Sequence, residues 1–219
     1  MKRWATFDCY GTLVDWRAGI RAQLARIFPD ADVDALLGRY YEIEPDVQRD
    51  GALPYRVVLA QTLARVAVES GRSVPPGDED ALAASLPDWP VFPEVREALL
   101  EIRERGWRLG ILSNTDRDLI DQSVAVLAVP FDLVVVASEI GAYKPAHRHW
   151  EVFAARTGAT PDRHVHVAQS LFHDVAATNE LGIRSVWINR LEETPGPVPT
   201  RSQSDLAGLA DVLDELVPL

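Results

Sequence analysis

Cysteine is nearly absent from this chain of 219 residues, in which Cys9 is the only one. A single cysteine excludes a disulfide within the chain. We predict from this a cytoplasmic protein in which Cys9 is a buried, unreactive thiol. Long apolar runs are missing as well, because the most apolar region, residues 124–137, is interrupted by Pro130 and Asp132. That region is too short to span a bilayer, and the early Asp8 is not typical of a secretory signal.

Positive charge is also scarce, since 22 lysines and arginines stand against 33 aspartates and glutamates, a net charge of −11. A surface of this sign repels phosphate backbones and anionic lipids, which argues against nucleic acid and membranes as partners. A small anionic substrate stays open, because the field inside a cleft can oppose that of the whole protein. The length and the hydrophobic fraction of 47% are those of an α/β core with a smaller second domain.

Apolar patterning predicts a buried strand at residues 4–7, then helices, and after residue 90 an alternation of strands and helices. Such alternation requires crossover connections and a parallel sheet. We therefore predict an α/β fold with a Rossmann-like, three-layer core (residues 1–14 and 90–219) and an inserted helical cap domain (residues 15–89). The predicted strands are 4–7, 108–113, 133–138, 164–169 and 184–189, the last of the sheet, and the helices among them are 94–105, 116–127, 146–157 and 173–181, with a tail helix at 205–216.

Polar residues follow four of the predicted strands. Ligands of open parallel sheets bind beyond the carboxyl ends of the strands, so we expect these residues to meet at one pocket, covered by the cap. They are Asp8 after the first strand, Ser113 and Asn114 after the second, Lys144 in the loop after the third, and Gln169, Ser170 and Asp174 after the fourth.

The chemistry of these side chains indicates nucleophilic catalysis. Asp8 can form an ester or an acyl phosphate, and Lys144 can hold that carboxylate ionised and oriented. Ser113 and Asn114 can donate hydrogen bonds to a substrate anion. Asp174 can pair with Lys144, or position a water or a metal ion. The combination favours Asp8 as a covalent nucleophile over a turn or capping residue.

Other polar and aromatic residues are interpreted as structural. Asp15 has the position of a helix N-cap. His164 and His166 share one face of a strand, but no cysteine or third ligand is spaced to complete a metal site, so we interpret both as structural. Tyr10 is predicted to form a wall of the pocket and to hydrogen-bond the substrate, and Trp16 lies at the hinge of the cap.

Four segments together resemble the motifs of the haloacid dehalogenase-like (HAD) superfamily, and the resemblance covers nearly the whole chain. Motif I is similar to residues 7–15 (FDCYGTLVD) and motif II to residues 112–114 (LSN). Motif III is similar to residues 141–145 (GAYKP) and motif IV to residues 169–174 (QSLFHD).

Two departures narrow the resemblance. HAD phosphatases carry a second aspartate where this chain has Tyr10, and an acidic residue that helps to hold Mg²⁺ where it has Gln169. A phosphate monoester needs its leaving alkoxide protonated and its charge offset by metal, whereas halide leaves without either. An aspartate-x-tyrosine motif is similar to that of the L-2-haloacid dehalogenases.

The second resemblance implies a role for each site residue. Asp8 would displace halide from the α-carbon of a 2-haloalkanoic acid with inversion, and water would then hydrolyse the ester. Ser113 and the main-chain amides near Cys9 and Tyr10 would hold the substrate carboxylate. Lys144 would orient Asp8. No metal or organic cofactor is implied, and the partner is a small-molecule carboxylate.

The halide and the hydrolytic water also have implied partners. Arg39 of the cap and Asn114 would receive the halide, with Arg49 and Arg56 as alternatives for the arginine. Asp174, together with the lysine, would activate the water.

Motif IV departs from the dehalogenase pattern, which places a Ser-x-Asn run before the aspartate. Here Gln169 and Leu171 occupy those two places, and Leu171 cannot orient a water. Gln169 or Ser170 would have to do so.

Two alternatives stay open. One is a Mg²⁺-dependent phosphatase, in which Asp174 and the carbonyl of Tyr10 would be metal contacts beside Asp8. The other is a non-catalytic binding protein of the same fold. The sequence does not decide between a monomer and the homodimer that is common among similar proteins.

Overall fold

The alternating strands and helices of the second half of the chain build one parallel sheet, in a computed structural model that describes residues 2–49, 53–194 and 196–219. The strands are β1 (Arg3–Phe7), β2 (Trp107–Ser113), β3 (Leu133–Val136), β4 (His164–Ala168), β5 (Arg184–Ile188) and β6 (Arg201–Gln203). Their order across the sheet is β3-β2-β1-β4-β5-β6, and every neighbouring pair is parallel. The predicted α/β fold class is thereby confirmed.

Helices connect the strands, as parallel neighbours require. The core helices are α5 (Val95–Glu104), α6 (Arg117–Leu127), α7 (Ala137–Ile140), α8 (Arg148–Thr157), α9 (Ala176–Glu180) and α10 (Leu209–Leu216); those of the first half are α1 (Trp16–Ile27), α2 (Val33–Gln48), α3 (Tyr55–Glu69) and α4 (Ala81–Ala84). Every residue of β1 is buried, because this strand lies between β2 and β4 with helices above and below. The end of β1 is therefore the centre of the sheet edge.

Three elements differ from the sequence prediction. β6 adds a sixth strand beside β5, although three partly exposed polar residues carry no apolar pattern that could predict it. The strand predicted at 133–138 ends at Val136, where α7 begins. The helix predicted at 173–181 begins earlier with a π-helical turn, Leu171–Val175, because the side chain of Ser170 accepts a hydrogen bond from the His173 amide and caps that turn.

Helices α1 to α4 lie in the chain between β1 and β2. The chain leaves and re-enters the core at a neck where Val14 pairs with Val91, next to the predicted domain junctions, and the amide of Asp15 donates to the Pro90 carbonyl at 2.7 Å. The Asp15 side chain accepts a hydrogen bond from the Ala18 amide and is the predicted N-cap of α1. The neck follows β1 within eight residues, so this insertion begins beside the sheet edge that carries Asp8.

No helix in the described ranges is both long enough and apolar enough to cross a membrane.

Candidate active site

Asp8 stands directly after β1, at the carboxyl edge of the sheet. Its Oδ1 accepts a hydrogen bond from Lys144 Nζ at 2.8 Å, and its Oδ2 accepts one from Thr12 Oγ1 at 3.1 Å. The Thr12 hydroxyl is fixed in turn by the amide of Gln169 at 2.9 Å. The turn needs glycine at Gly11, where φ is +96° and an added Cβ would lie 3.1 Å from the Trp16 indole nitrogen. The carboxylate is thus held from both sides.

Lys144 joins two carboxylates in the interior. Its Nζ donates to Asp8 at 2.8 Å, to Asp174 Oδ1 at 2.7 Å and to the Leu112 carbonyl at 2.9 Å, which uses all three ammonium protons. Burial by itself would lower the pKa of Lys144, but Asp174 and Asp8 outweigh burial and raise it. The lysine therefore stays charged and holds the Asp8 carboxylate in one orientation.

Asp174 is fully buried and accepts a second hydrogen bond, from His166 Nε2 at 2.8 Å. Burial would raise the pKa of Asp174, yet Lys144 and His166 hold it well below its usual range. The contacts continue inward from His166 Nδ1 to Thr6 Oγ1 at 2.8 Å, and from Thr6 Oγ1 to His164 Nε2 at 2.6 Å. Asp174 is thus the outer end of a buried polar chain. His166, which the sequence places among the structural residues, thus contacts a candidate catalytic group.

Motif II supplies both a fixed loop and a free hydroxyl. Asn114 clamps the main chain of Lys144, accepting from its amide at 2.6 Å and donating to its carbonyl at 3.0 Å. Ser113 is buried, and its Oγ has no hydrogen-bond partner in the described part of the chain. The Ser113 carbonyl accepts from His149 Nε2 at 3.1 Å, and burial lowers the pKa of that histidine to about 3. Ser113 Oγ is therefore available to a ligand.

The polar side chains of motif IV, Gln169 and Ser170, contact the neighbouring residues Glu193 and His173. Gln169 Nε2 donates to Glu193 Oε2 at 2.8 Å. Ser170 Oγ lies 3.1 Å from His173 Nδ1, and burial lowers the pKa of His173 below its ordinary value. Ser170 and His173 both line the pocket.

These residues line one cavity of about 360 Å³ between the sheet edge and the first-half helices. Arg17 reaches it from α1 with its guanidinium 4.4 Å from the centre of the Tyr41 ring, and it forms no ion pair with any described carboxylate. Glu44 of α2 also lines the cavity and accepts a hydrogen bond from Gln48. Burial raises the pKa of Glu44 to about 7, although the Gln48 hydrogen bond opposes the shift. The cavity wall thus offers an unpaired cation and a carboxyl group that is half-protonated near neutral pH.

Arg39, the predicted halide-binding arginine, lies elsewhere. Its side chain is 46% exposed and pairs with Glu42 and Glu69 on the outer surface of α2 and α3. It does not line the cavity, and neither do Arg49 and Arg56. The prediction for Arg39 was wrong because one helical position decides whether a side chain points inward or outward. Arg17 is the arginine that the fold brings to the pocket.

The first-half helices are docked on the core by Asp116. Its two carboxylate oxygens accept hydrogen bonds from the amides of Tyr55 at 3.0 Å and Arg56 at 2.9 Å, which caps the start of α3. Tyr10 also lines the cavity, and its hydroxyl lies 3.1 Å from Ser123 Oγ. Its ring is 6.2 Å from that of Tyr55. One side of the cavity is therefore built jointly by core and inserted residues.

The structure brings together seven of the eight predicted site residues: Asp8, Tyr10, Ser113, Asn114, Lys144, Ser170 and Asp174. It adds four that the sequence interpretation missed: Thr12, Arg17, Glu44 and His166. It also places at the cavity His173, which the sequence puts beside Asp174. Only His166 had a sequence signal, because a histidine that alternates with another along a central strand must find a buried partner.

Comparison with known proteins gives a consistent result. A family model described as haloacid dehalogenase-like hydrolase matches residues 2–182. The "(S)-2-haloacid dehalogenase 4A" of Burkholderia cepacia is 23% identical over 226 residues, covering 99% of this chain and 94% of its own length. The "Phosphoserine phosphatase" of Thermus thermophilus is 28% identical over 181 residues, covering 80% of this chain and 71% of its own. The crystal structure of the L-2-haloacid dehalogenase RSc1362 superposes with a TM-score of 0.88 at 23% identity, covering 97% of this chain and 99% of the other, and so shares its fold.

Proposed function

The chain belongs to the haloacid dehalogenase-like hydrolases, and within that family we propose that it hydrolyses small 2-haloalkanoic acids through an ester on Asp8. One observation carries the proposal. Lys144 bridges Asp8 and Asp174, while the residue two positions after Asp8 is Tyr10, whose hydroxyl contacts Ser123. This arrangement supports a charged nucleophile and supplies no carboxylic acid at that position to protonate an alkoxide. A leaving group that departs as a stable anion suits it best.

In the first step, an Asp8 carboxylate oxygen attacks the α-carbon, the carbon–halogen bond breaks, and the electron pair leaves with the halide. Lys144 and Thr12 hold the attacking carboxylate. Ser113 Oγ and the main-chain amides of Cys9 and Tyr10 are proposed to bind the substrate carboxylate. Holding both reactants in this geometry replaces a bimolecular encounter by an intramolecular one.

Arg17 is proposed to receive the halide, in place of Arg39. It is the arginine lining the cavity, and it has no carboxylate partner among the described residues. Its guanidinium lies over the Tyr41 ring, 4.4 Å from the ring centre, which favours a charged side chain at this wall of the cavity.

In the second step, water attacks Cγ of the Asp8 ester. Its proton passes to Asp174 and then to the departing alkoxide, which leaves as the 2-hydroxy acid. Asp8 is regenerated and releases one proton to solvent. Asp174 suits this role because its Oδ2 has no hydrogen-bond partner in the described residues.

No cofactor is part of this proposal. A magnesium ion would need Asp8, Asp174 and the Tyr10 carbonyl as ligands, but the Lys144 ammonium already lies between the two carboxylates, 2.8 Å from Asp8 and 2.7 Å from Asp174. Gln169 contributes an amide that is directed to Glu193. Within the described ranges no three histidine, cysteine or acidic side chains converge as a metal site. These residues do not fit the ion as they stand.

A phosphatase is the second candidate, because a relative named for that activity is 28% identical to this chain. The two functions make opposite predictions about chelators. Halide release would be insensitive to EDTA, whereas hydrolysis of a phosphate ester would need Mg²⁺ and would stop when EDTA is added.

The test is halide and acid release from a panel of 2-haloacids, fluoroacetate included, with EDTA present. Asp8→Asn should abolish release, while the matched control Asp30→Asn, at an exposed aspartate far from the motif residues in sequence, should retain it. If the wild type releases no halide from any of these acids, the dehalogenase proposal is wrong. Turnover of a phosphate ester with Mg²⁺ would then support the phosphatase. Thermal stabilisation by a haloacid without turnover of either substrate would support a binding protein.

A further inference from the structure

His166 lies beneath the pocket and contacts Asp174, which receives the proton of the hydrolytic water in the proposed mechanism. His166 lies on β4 in register with Thr6 of β1, and its Nε2 is 2.8 Å from Asp174 Oδ1. An ionised carboxylate can only accept, so His166 Nε2 must carry the hydrogen. Since Nε2 donates, the ring can keep its other nitrogen free of hydrogen as an acceptor.

The other two members of the buried polar chain, Thr6 and His164, fix this orientation. His164 is buried, and burial lowers its pKa to about 3, so its ring is neutral at ordinary pH. Its Nε2 can then donate to Thr6 Oγ1 at 2.6 Å, and the Thr6 hydroxyl can donate to His166 Nδ1 at 2.8 Å. The Trp150 ring packs edge-on against His166, with the ring centres 5.4 Å apart. His166 is thereby fixed at both nitrogens and on one face.

This arrangement leaves Asp174 with one oxygen engaged and one free. Oδ1 accepts from both Lys144 and His166, and Oδ2 has no partner in the described part of the chain. A carboxylate held through one oxygen by two donors cannot rotate without breaking both contacts. The free oxygen therefore keeps a fixed direction, as a proton acceptor for a bound water requires.

Motif IV does not supply that orientation. The amide of Gln169 is taken by Glu193, and Leu171 has no polar atom. Besides Lys144, the side chain that holds Asp174 is therefore His166 of β4, which Thr6 of β1 supports from beneath the loop.

We propose that His166 is the positioning residue for the hydrolytic half of the reaction: it holds Asp174 so that Oδ2 takes the proton of the water that cleaves the Asp8 ester. This inference rests on the proposed function. The water oxygen bonds to Cγ of Asp8, its proton moves to Asp174, and the alkoxide leaves with that proton, while His166 keeps its own hydrogen throughout. His166 does not touch the halogenated substrate, so halide release in the first turnover does not depend on it.

The test separates the two chemical steps with a 2-chloroalkanoic acid, measuring halide by rapid quench and the ester on Asp8 by intact-protein mass spectrometry. His166→Leu should release one equivalent of halide per site at the wild-type rate and then accumulate ester. Hydrolysis of that ester should be roughly 10- to 100-fold slower, at most the low end of the roughly 10²- to 10⁴-fold that a proton acceptor contributes, because Asp174 is still present. His147→Leu is the control, since it removes a histidine that pairs with Glu180 and belongs to neither the cavity lining nor the buried polar chain. It should not accumulate ester.

Two conservative variants guard against misfolding. His166→Gln keeps a donor near the Nε2 position and should restore ester hydrolysis at least in part. His166→Asn keeps a polar group facing Thr6 but is too short to reach Asp174, and it should accumulate ester like the leucine variant. Equal ester hydrolysis in wild type, His166→Leu and His166→Asn would overturn the role of His166 while leaving the dehalogenase intact. No halide release by the wild type would overturn both proposals.

Discussion

Replacing Lys144 by methionine removes the ammonium group that joins the two buried carboxylates and nearly preserves side-chain length. The chain has only two lysines, Lys2 and Lys144, so no other lysine can take over. In the native protein Nζ is within 2.8 Å of Asp8 and 2.7 Å of Asp174. The variant leaves both carboxylates in the interior with neutral donors alone.

The expected loss of stability is large. Removing one partner of a buried ion pair costs about 3–5 kcal/mol, because the other charge stays buried without compensation. For a protein of this length, each kcal/mol lowers the melting temperature by about 2–4 °C, so we expect a decrease of roughly 6–20 °C at pH 7.5.

The loss should shrink in acid. Lys144 and His166 together hold the pKa of Asp174 well below its ordinary value. Without the lysine only His166 opposes burial, which is the largest single influence, so we expect the pKa of Asp174 to rise above its ordinary value. Between the ordinary and the raised pKa the native variant then binds more protons than its unfolded state, so its stability rises as pH falls. In the wild type Asp174 is ionised in both states over that range and contributes no such slope. The difference between the two proteins should therefore narrow from pH 8 to pH 5.

Urea and thermal unfolding of both proteins between pH 5 and 8 measure this difference. Lys2→Met, at an exposed site, should change stability by less than about 0.5 kcal/mol. The double variant Lys144→Met/Asp174→Asn should recover part of the loss, because it removes one orphaned charge. A Lys144→Met protein as stable as the wild type at pH 7.5, or a loss independent of pH, would refute the charge-compensation argument.

Three further predictions follow from other buried groups. Glu44→Gln should stabilise the protein by about 1–3 kcal/mol more at pH 8 than at pH 4.5, because the native pKa of about 7 lies above the ordinary 4.5 and wild-type stability is lost as pH rises between the two values. Denaturation of both proteins at the two pH values checks this, and a constant difference would contradict it. Asp116→Ala should lower the free energy of unfolding by about 1 kcal/mol, since the start of α3 loses its cap. It should also loosen the cavity wall and so raise KM more than it lowers kcat. An unchanged KM would show that this contact does not hold the wall. Burial holds His149 and His164 neutral, with pKa values of about 3. Below pH 6.5 the unfolded state takes up protons that the native state does not, so each histidine should make stability fall by up to about 1.4 kcal/mol per pH unit. His164→Leu should flatten the dependence of stability on pH, and an unaltered slope would be the contrary result.

Much of the fold was readable from the sequence because its signals are local. Apolar runs bounded by polar residues predicted five of the six strands, and strand–helix alternation predicted their parallel arrangement. The position of Asp8, Ser113 and Lys144 at one edge followed from topology alone, since parallel strands end on the same side of the sheet. β6 was not predicted because its three residues have no apolar pattern, and only their pairing with β5 makes them a strand.

The side of the site formed by the first-half helices could not be predicted from the sequence in this way. Arg39 and Arg17 are both arginines on amphipathic helices, and sequence spacing does not say which one faces the cavity. Packing against Tyr41 turns Arg17 inward, while Glu42 and Glu69 hold Arg39 outside. Helix rotation is set by contacts between helices that are distant in sequence, so it is decided in three dimensions.

The electrostatics of the site were likewise decided by the tertiary structure. By itself the sequence determined the α/β fold and the set of chemical groups at the sheet edge, because the succession of strands and helices along the chain and the identity of each residue are local properties. Only the folded chain placed one ammonium between two carboxylates and set His166 under Asp174, 2.8 Å away. The interaction between charges depends on separation and burial, and neither quantity exists before residues 8, 144, 166 and 174 have been brought together.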